Sequence, residues 1–337
     1  MFFTSILNKA NFTDQLNIFL VIVSALLAYI FPLELFILTY TLLGPLHYVT
    51  EINWLHDKSY FFTNNKVIWL TIGITASLIL FVPKLFLYYE NSDTALTATM
   101  IFINAWSNSV IFITLMLAIA YQFVSSKVAW LIITLLSVIG AILLKNVEQY
   151  KLLIGVFVPT VIHVYLFTMI FMLYGAKKSK SVYSYISVAL VLLIPIIIIN
   201  LGLTRGSYLF SDFSKELYLE NDFHVLPVSF SKFLGMTDGT EFYFYESIWL
   251  KFMIFISFIY CYHYLNWFSK TTVIKWHNML NKKKIITIAI LWFTVIFLYW
   301  FDFGLGLLIS LFLGFIHVIL EFPLNMLSIK ELFFSKK

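Results

Sequence analysis

Four of the chain's seven histidines, His47, His163, His263 and His317, lie inside long apolar segments. Ionisable side chains at membrane depth are expensive to bury and by default mark function. Neutral imidazoles are also what a transition-metal ion takes as ligands. Two of the four carry a glutamate four residues on, His47 with Glu51 in GPLHYVTE and His317 with Glu321 in GFIHVILEF. At that spacing the carboxylate shares the helix face of its histidine. It can accept the second ring N–H and fix the tautomer, or reach a metal itself. His263, in CYHYLNWF, has Asn266 three residues on, and His163, in VIHVYLF, has no carboxylate within a turn. A lone intramembrane histidine usually only hydrogen-bonds between helices, so a metal site requires that these four meet.

The elements that would bring them together follow from composition. The 337 residues are 61% hydrophobic and 12% charged, with a mean hydropathy of +0.91, whereas a soluble domain carries roughly 25% charged residues. The expected fold is all-α, a polytopic transmembrane helix bundle. With about 20 apolar residues per crossing, the pattern predicts about ten spans, roughly 15–31, 34–54, 67–89, 98–123, 128–145, 152–175, 183–203, 248–269, 285–301 and 304–327. Pro32 fits a sharp turn between the first two, because proline cannot continue a helix ladder, and Asp302 with Gly304 does the same between the last two. The chain reads as one integral membrane domain over 1–337, with 204–247 as an extended polar loop. Its single cysteine, Cys261, excludes an internal disulfide framework and a cysteine-rich metal knuckle. The first apolar run, from Leu16, leads at once into a second and does not read as a cleaved signal.

With alternating spans, Lys84, Lys145, Lys151, Arg205, Lys215, Lys232 and Lys251 fall on one side, and the other fifteen of the 22 basic residues fall on the opposite side. Short cytoplasmic loops carry the excess of Lys and Arg. Both termini are therefore expected in the cytoplasm, the membrane is expected to be a bacterial-type inner membrane, and 204–247 is expected outside. In this topology the four histidines ride on helices running the same way. At 1.5 Å per residue they lie about 10, 18, 9 and 15 Å from the cytoplasmic ends of spans 2, 6, 8 and 10. His56 and His277 fall in cytoplasmic loops and His224 in the external one.

The order and wording of GPLHYVTE, VIHVYLF, CYHYLNWF and GFIHVILEF resemble the histidine motifs of the Brp/Blh family of bacterial membrane β-carotene 15,15′-oxygenases, which cleave the central double bond to give retinal. The match covers most of the chain as hydropathy and motif order and is specific over a few short segments. The family's glycine-led first motif is similar to Gly44–Glu51, its second to the stretch around His163, and its last to His317, Glu321 and Phe322. The third departs from pattern, since Ile259 stands where the family has a histidine one turn before His263. The resemblance implies a non-haem Fe(II) dioxygenase using O2, with one iron ion and a carotenoid or other long apolar lipid reached through the bilayer.

On the residues and the resemblance together, the expected metal ligands are His47, His163, His263 and His317. Glu51 and Glu321 are expected beside them as supporting or replacement ligands. Two other classes remain open. A histidine-based lipid hydroxylase or desaturase would carry closely spaced histidine pairs, which this chain lacks. An ion-coupled transporter would place ionisable residues at the midplane beside broken helices and show two related halves; Pro159 and Pro195 permit breaks, but no repeat is visible. Nothing in the composition points to nucleic acid.

Overall fold

The computed structural model describes residues 2–58, 66–90, 92–204, 206, 208–270, 274 and 276–334. Of the basic residues in the topology argument, Arg205, Lys275, Lys336 and Lys337 lie outside these, as do the side chains of Lys9, Lys58 and Lys66. Among the described residues there is no strand, and ten helices are long and apolar enough to cross a membrane. They are Phe12–Ile30, Pro32–His56, Ile68–Tyr89, Ala95–Phe123, Lys127–Leu144, Glu148–Ser179, Val182–Ile199, Ser247–Ser269, Lys282–Phe301 and Phe303–Phe333, called spans 1 to 10 below.

Their starts follow from local chemistry. Thr94, Ser126, Asn281 and Asp302 each accept a backbone N–H three residues on, which satisfies a donor that the first helical turn cannot pair itself. Pro32 occupies the first position of span 2, where its missing N–H costs nothing. Asp302 alone separates spans 9 and 10, and its carboxylate accepts from both Leu305 N–H (3.0 Å) and the Tyr88 hydroxyl (2.6 Å). That hydrogen bond from Tyr88 holds the Asp302 carboxyl below the usual carboxylate range.

The helices form two compact units, Met1–His47 with Thr160–Leu280, and Tyr48–Pro159 with Asn281–Lys337. Spans 2 and 6 each begin in one unit and end in the other. In the first unit span 8 is the core. It packs against span 1 and against the opening turns of span 2, and span 1 packs on span 7. Span 8 is aromatic and apolar all round and is buried on nearly every side, as a helix surrounded by others must be. Small buried residues of span 1, Ser24 and Ala28, suit close helix approach, the usual device where lipid and protein are equally apolar.

Within 204–247, expected as an extended polar loop, lie two further helices, Asp212–Glu220 and Val225–Phe233. The first packs on Pro32–Leu38 and the second on span 8. Aromatics interleaved among the charges anchor them. Tyr218 is buried within 6.1 Å, centroid to centroid, of Phe36, Phe223, Phe242 and Phe244.

In the second unit span 10 packs on spans 3, 4 and 9. Gly306 lets spans 9 and 10 approach, because a Cβ there would lie 2.6 Å from the Tyr299 backbone. Pro323 interrupts the backbone ladder of span 10, and the Gln122 side-chain amide of span 4 donates to its carbonyl at 3.1 Å.

Two stretches are wound more loosely than an α-helix, as π-helix: Thr39–Leu43, directly before the helix that carries His47, and Lys151–Phe167, which contains His163. Such windings are rare and concentrate at functional sites.

Candidate metal centre

His47, His163 and His263 come together within the first unit, one from each of spans 2, 6 and 8. All three are buried. One ring nitrogen of each lies within 4.8 Å of those of the other two. Three atoms that close share a point no more than about 2.8 Å from any of them, close to the roughly 2.1 Å of a metal–imidazole bond. His47 Nε2 and His263 Nε2 are 3.1 Å apart with the rings crossed at 74°. The ring of His163 stands 5.3 Å from that of His263, centroid to centroid.

Thr168 fixes the central ring. Its Oγ1 lies 2.6 Å from His263 Nδ1, and both residues are buried. When Nδ1–H donates to this hydroxyl, the proton is held on Nδ1 and the lone pair of Nε2 turns toward His47, the tautomer a metal ligand needs. Tyr264, Trp267 and Phe268 surround His47, with centroids 5.2, 5.5 and 6.5 Å from its ring. Packed among these rings, His47 is buried. Asn266, expected on the histidine face of span 8, accepts instead from the Tyr262 hydroxyl at 3.4 Å.

His317 belongs to the second unit, where it meets both glutamates. Its Nε2 is 3.4 Å from Glu51 Oε2 and 3.8 Å from Glu321 Oε2. All three side chains are buried, and the donor atoms they offer lie within 4.8 Å of one another. Tyr48 stacks on the His317 ring at 5.2 Å and 30°. The structure thus groups three of the expected histidines in one unit, and the fourth with Glu51 and Glu321 in the other. The HxxxE spacing of span 10 is realised directly in the His317–Glu321 pair, while Glu51 reaches His317 from span 2. The three remaining histidines stand apart from these groups: His56 and His277 are exposed, and His224 opens the Val225–Phe233 helix beside Phe242.

Thr168 is the functional side chain that sequence reasoning missed. Its only signal was a hydroxyl in an otherwise apolar run five residues after His163.

A set of neutral nitrogen donors in a dry, aromatic setting fits a borderline transition metal such as iron, copper or zinc. The buried histidine group can hold such an ion. No family model, curated protein or solved structure matches the chain.

Proposed function

We propose that the protein is a membrane-embedded non-haem iron oxygenase acting on a carotenoid or another long apolar lipid, a divergent relative of the Brp/Blh β-carotene oxygenases. The observation that carries this reading is the convergence of three buried imidazoles from three separate apolar spans. Burying three such polar groups at one depth is costly unless they are satisfied together, and a metal ion satisfies them at once. Support also comes from the four histidine segments and their order, which are similar to that family's motifs.

His47, His163 and His263 would hold the ion, and an Fe(II) so bound would supply a redox-active centre with open positions for O2. The chain's own residues do the rest. Thr168 keeps the proton on His263 Nδ1 and so presents Nε2 as the donor. Tyr264, Trp267 and Phe268 exclude water and present an apolar surface suited to a hydrocarbon substrate. Because these residues lie within bilayer-spanning helices, a lipid-soluble substrate reaches them by lateral diffusion without crossing water.

The experiment is direct. The purified protein, reconstituted with Fe(II) in nanodiscs and given β-carotene, is followed by oxygen uptake and by chromatography of the products. Iron-dependent uptake with shorter polyene products supports the reading; tight iron binding with no uptake on any carotenoid or unsaturated lipid tested overturns it.

A further inference from the structure

Glu51, His317 and Glu321 make a second grouping whose chemistry differs from that of the histidine cluster, and three observations point to what it takes. The first is charge. Two carboxylates with oxygens within 4.8 Å of each other repel strongly outside water, and in apolar spans both ionise only where positive charge stands beside them. A proton on His317 would balance only one of them. A divalent cation balances both, since two carboxylates, a neutral imidazole and a 2+ ion sum to zero.

The second is spacing. His317 Nε2 stands 3.4 and 3.8 Å from the two carboxylate oxygens, beyond the roughly 2.7–3.2 Å of a good N–H···O hydrogen bond. Ligand atoms bound at about 2.1 Å to one ion, at angles of about 90–130°, are about 3.0–3.8 Å apart. The observed separations fall in that window. The third is rigidity. His317 and Glu321 are one turn apart on a single helix, Glu51 comes from span 2, and the Tyr48 ring stacked on His317 fixes the imidazole plane.

We infer that Glu51, His317 and Glu321 form a cation site in their own right, taking a divalent ion of harder character than three imidazoles select. Two oxygens and one nitrogen suit Mn2+, where three nitrogens suit iron, copper or zinc. The inference stands on this cluster alone and does not depend on what the histidine cluster binds.

The test uses Mn2+ as the probe, followed by electron paramagnetic resonance on full-length protein in nanodiscs. The background variant is His163→Ala, which disables the histidine cluster. It is expected to bind one Mn2+ per chain, and adding Glu321→Gln or Glu51→Gln is expected to weaken that binding at least tenfold. Glutamine keeps the shape and removes the charge. Should either double variant fail to elute as wild type with native helical dichroism, the other one, together with His163→Ala/His317→Gln, carries the comparison. Absence of Mn2+ binding in His163→Ala, or equal affinity with and without the glutamates, would overturn the inference. Loss of iron from wild type with Mn2+ retained here would instead sink the proposed oxygenase and leave this second site standing.

Discussion

Replacing Thr168 by valine removes one oxygen and almost nothing else, and this makes it the sharpest probe of the histidine cluster. The hydroxyl sits 2.6 Å from His263 Nδ1 with both residues buried. Valine keeps the branched shape, so no cavity opens. What changes is that a ring N–H loses its acceptor in a dry setting, at a cost of about 1–3 kcal/mol. If His263 is a ligand in the tautomer that Thr168 enforces, this cost appears in metal affinity as roughly a 10–100-fold rise in Kd, the usual loss when the partner of a ligating histidine is removed. Thr168→Ser retains the hydroxyl and should stay close to wild type. The assay is competition for Fe(II) or Zn2+ against a chromophoric chelator, with the thermal transition recorded beside it. A Thr168→Val protein whose metal affinity equals that of wild type would refute the reasoning, because the short contact would then serve packing alone.

Other outcomes follow from the same structure. Gly306→Ala would drive a methyl to 2.6 Å from the Tyr299 backbone, so thermal unfolding in detergent should show a loss of about 1–3 kcal/mol, typical of overpacking. Asp302→Ala removes the cap of span 10 and should cost about 1 kcal/mol at neutral pH by the same measurement. Because Asp302 is held below the usual carboxylate range by Tyr88, its contribution is complete above about pH 4 and is lost as pH falls through its own lower value. The stability difference between wild type and Asp302→Ala should therefore shrink on acidification; a difference that grows would contradict the assignment. A reporter fused after Lys337 should be active only when its activity requires the cytoplasm, and activity confined to the other side would overturn the proposed topology.

Much of the fold was legible because hydropathy is a one-dimensional signal. Span 5, expected at 128–145, is Lys127–Leu144, and span 8, expected at 248–269, is Ser247–Ser269. Span 6 runs beyond its expected 152–175 to Glu148–Ser179, because polar ends such as Glu148, Lys177 and Lys178 continue the helix without adding to the apolar pattern. The helices within 204–247 were hidden for a related reason. Their burial rests on scattered aromatics such as Tyr218 and Phe223, and charges between these broke any run.

The site was legible in depth but not in azimuth. Residue counting places His47, His163, His263 and His317 at similar heights, yet only packing shows which faces turn inward, and it pairs Glu51 with His317 across spans. Thr168 escaped notice because a threonine in an apolar helix ordinarily bonds its own preceding turn. Thr39, Thr41, Thr114 and Thr134 all do so here.

X-ray absorption spectroscopy on the purified, metal-loaded protein tests the central claim most directly, since it reads the atoms around the metal without reference to substrate. The histidine cluster calls for at least three nitrogen scatterers at about 2.1 Å with the outer-shell pattern of imidazole rings, and this imidazole signal should weaken in His47→Ala, His163→Ala and His263→Ala toward that of the single His317 ring. A metal bound without imidazole scattering, or one that all three variants retain unchanged, would contradict the account.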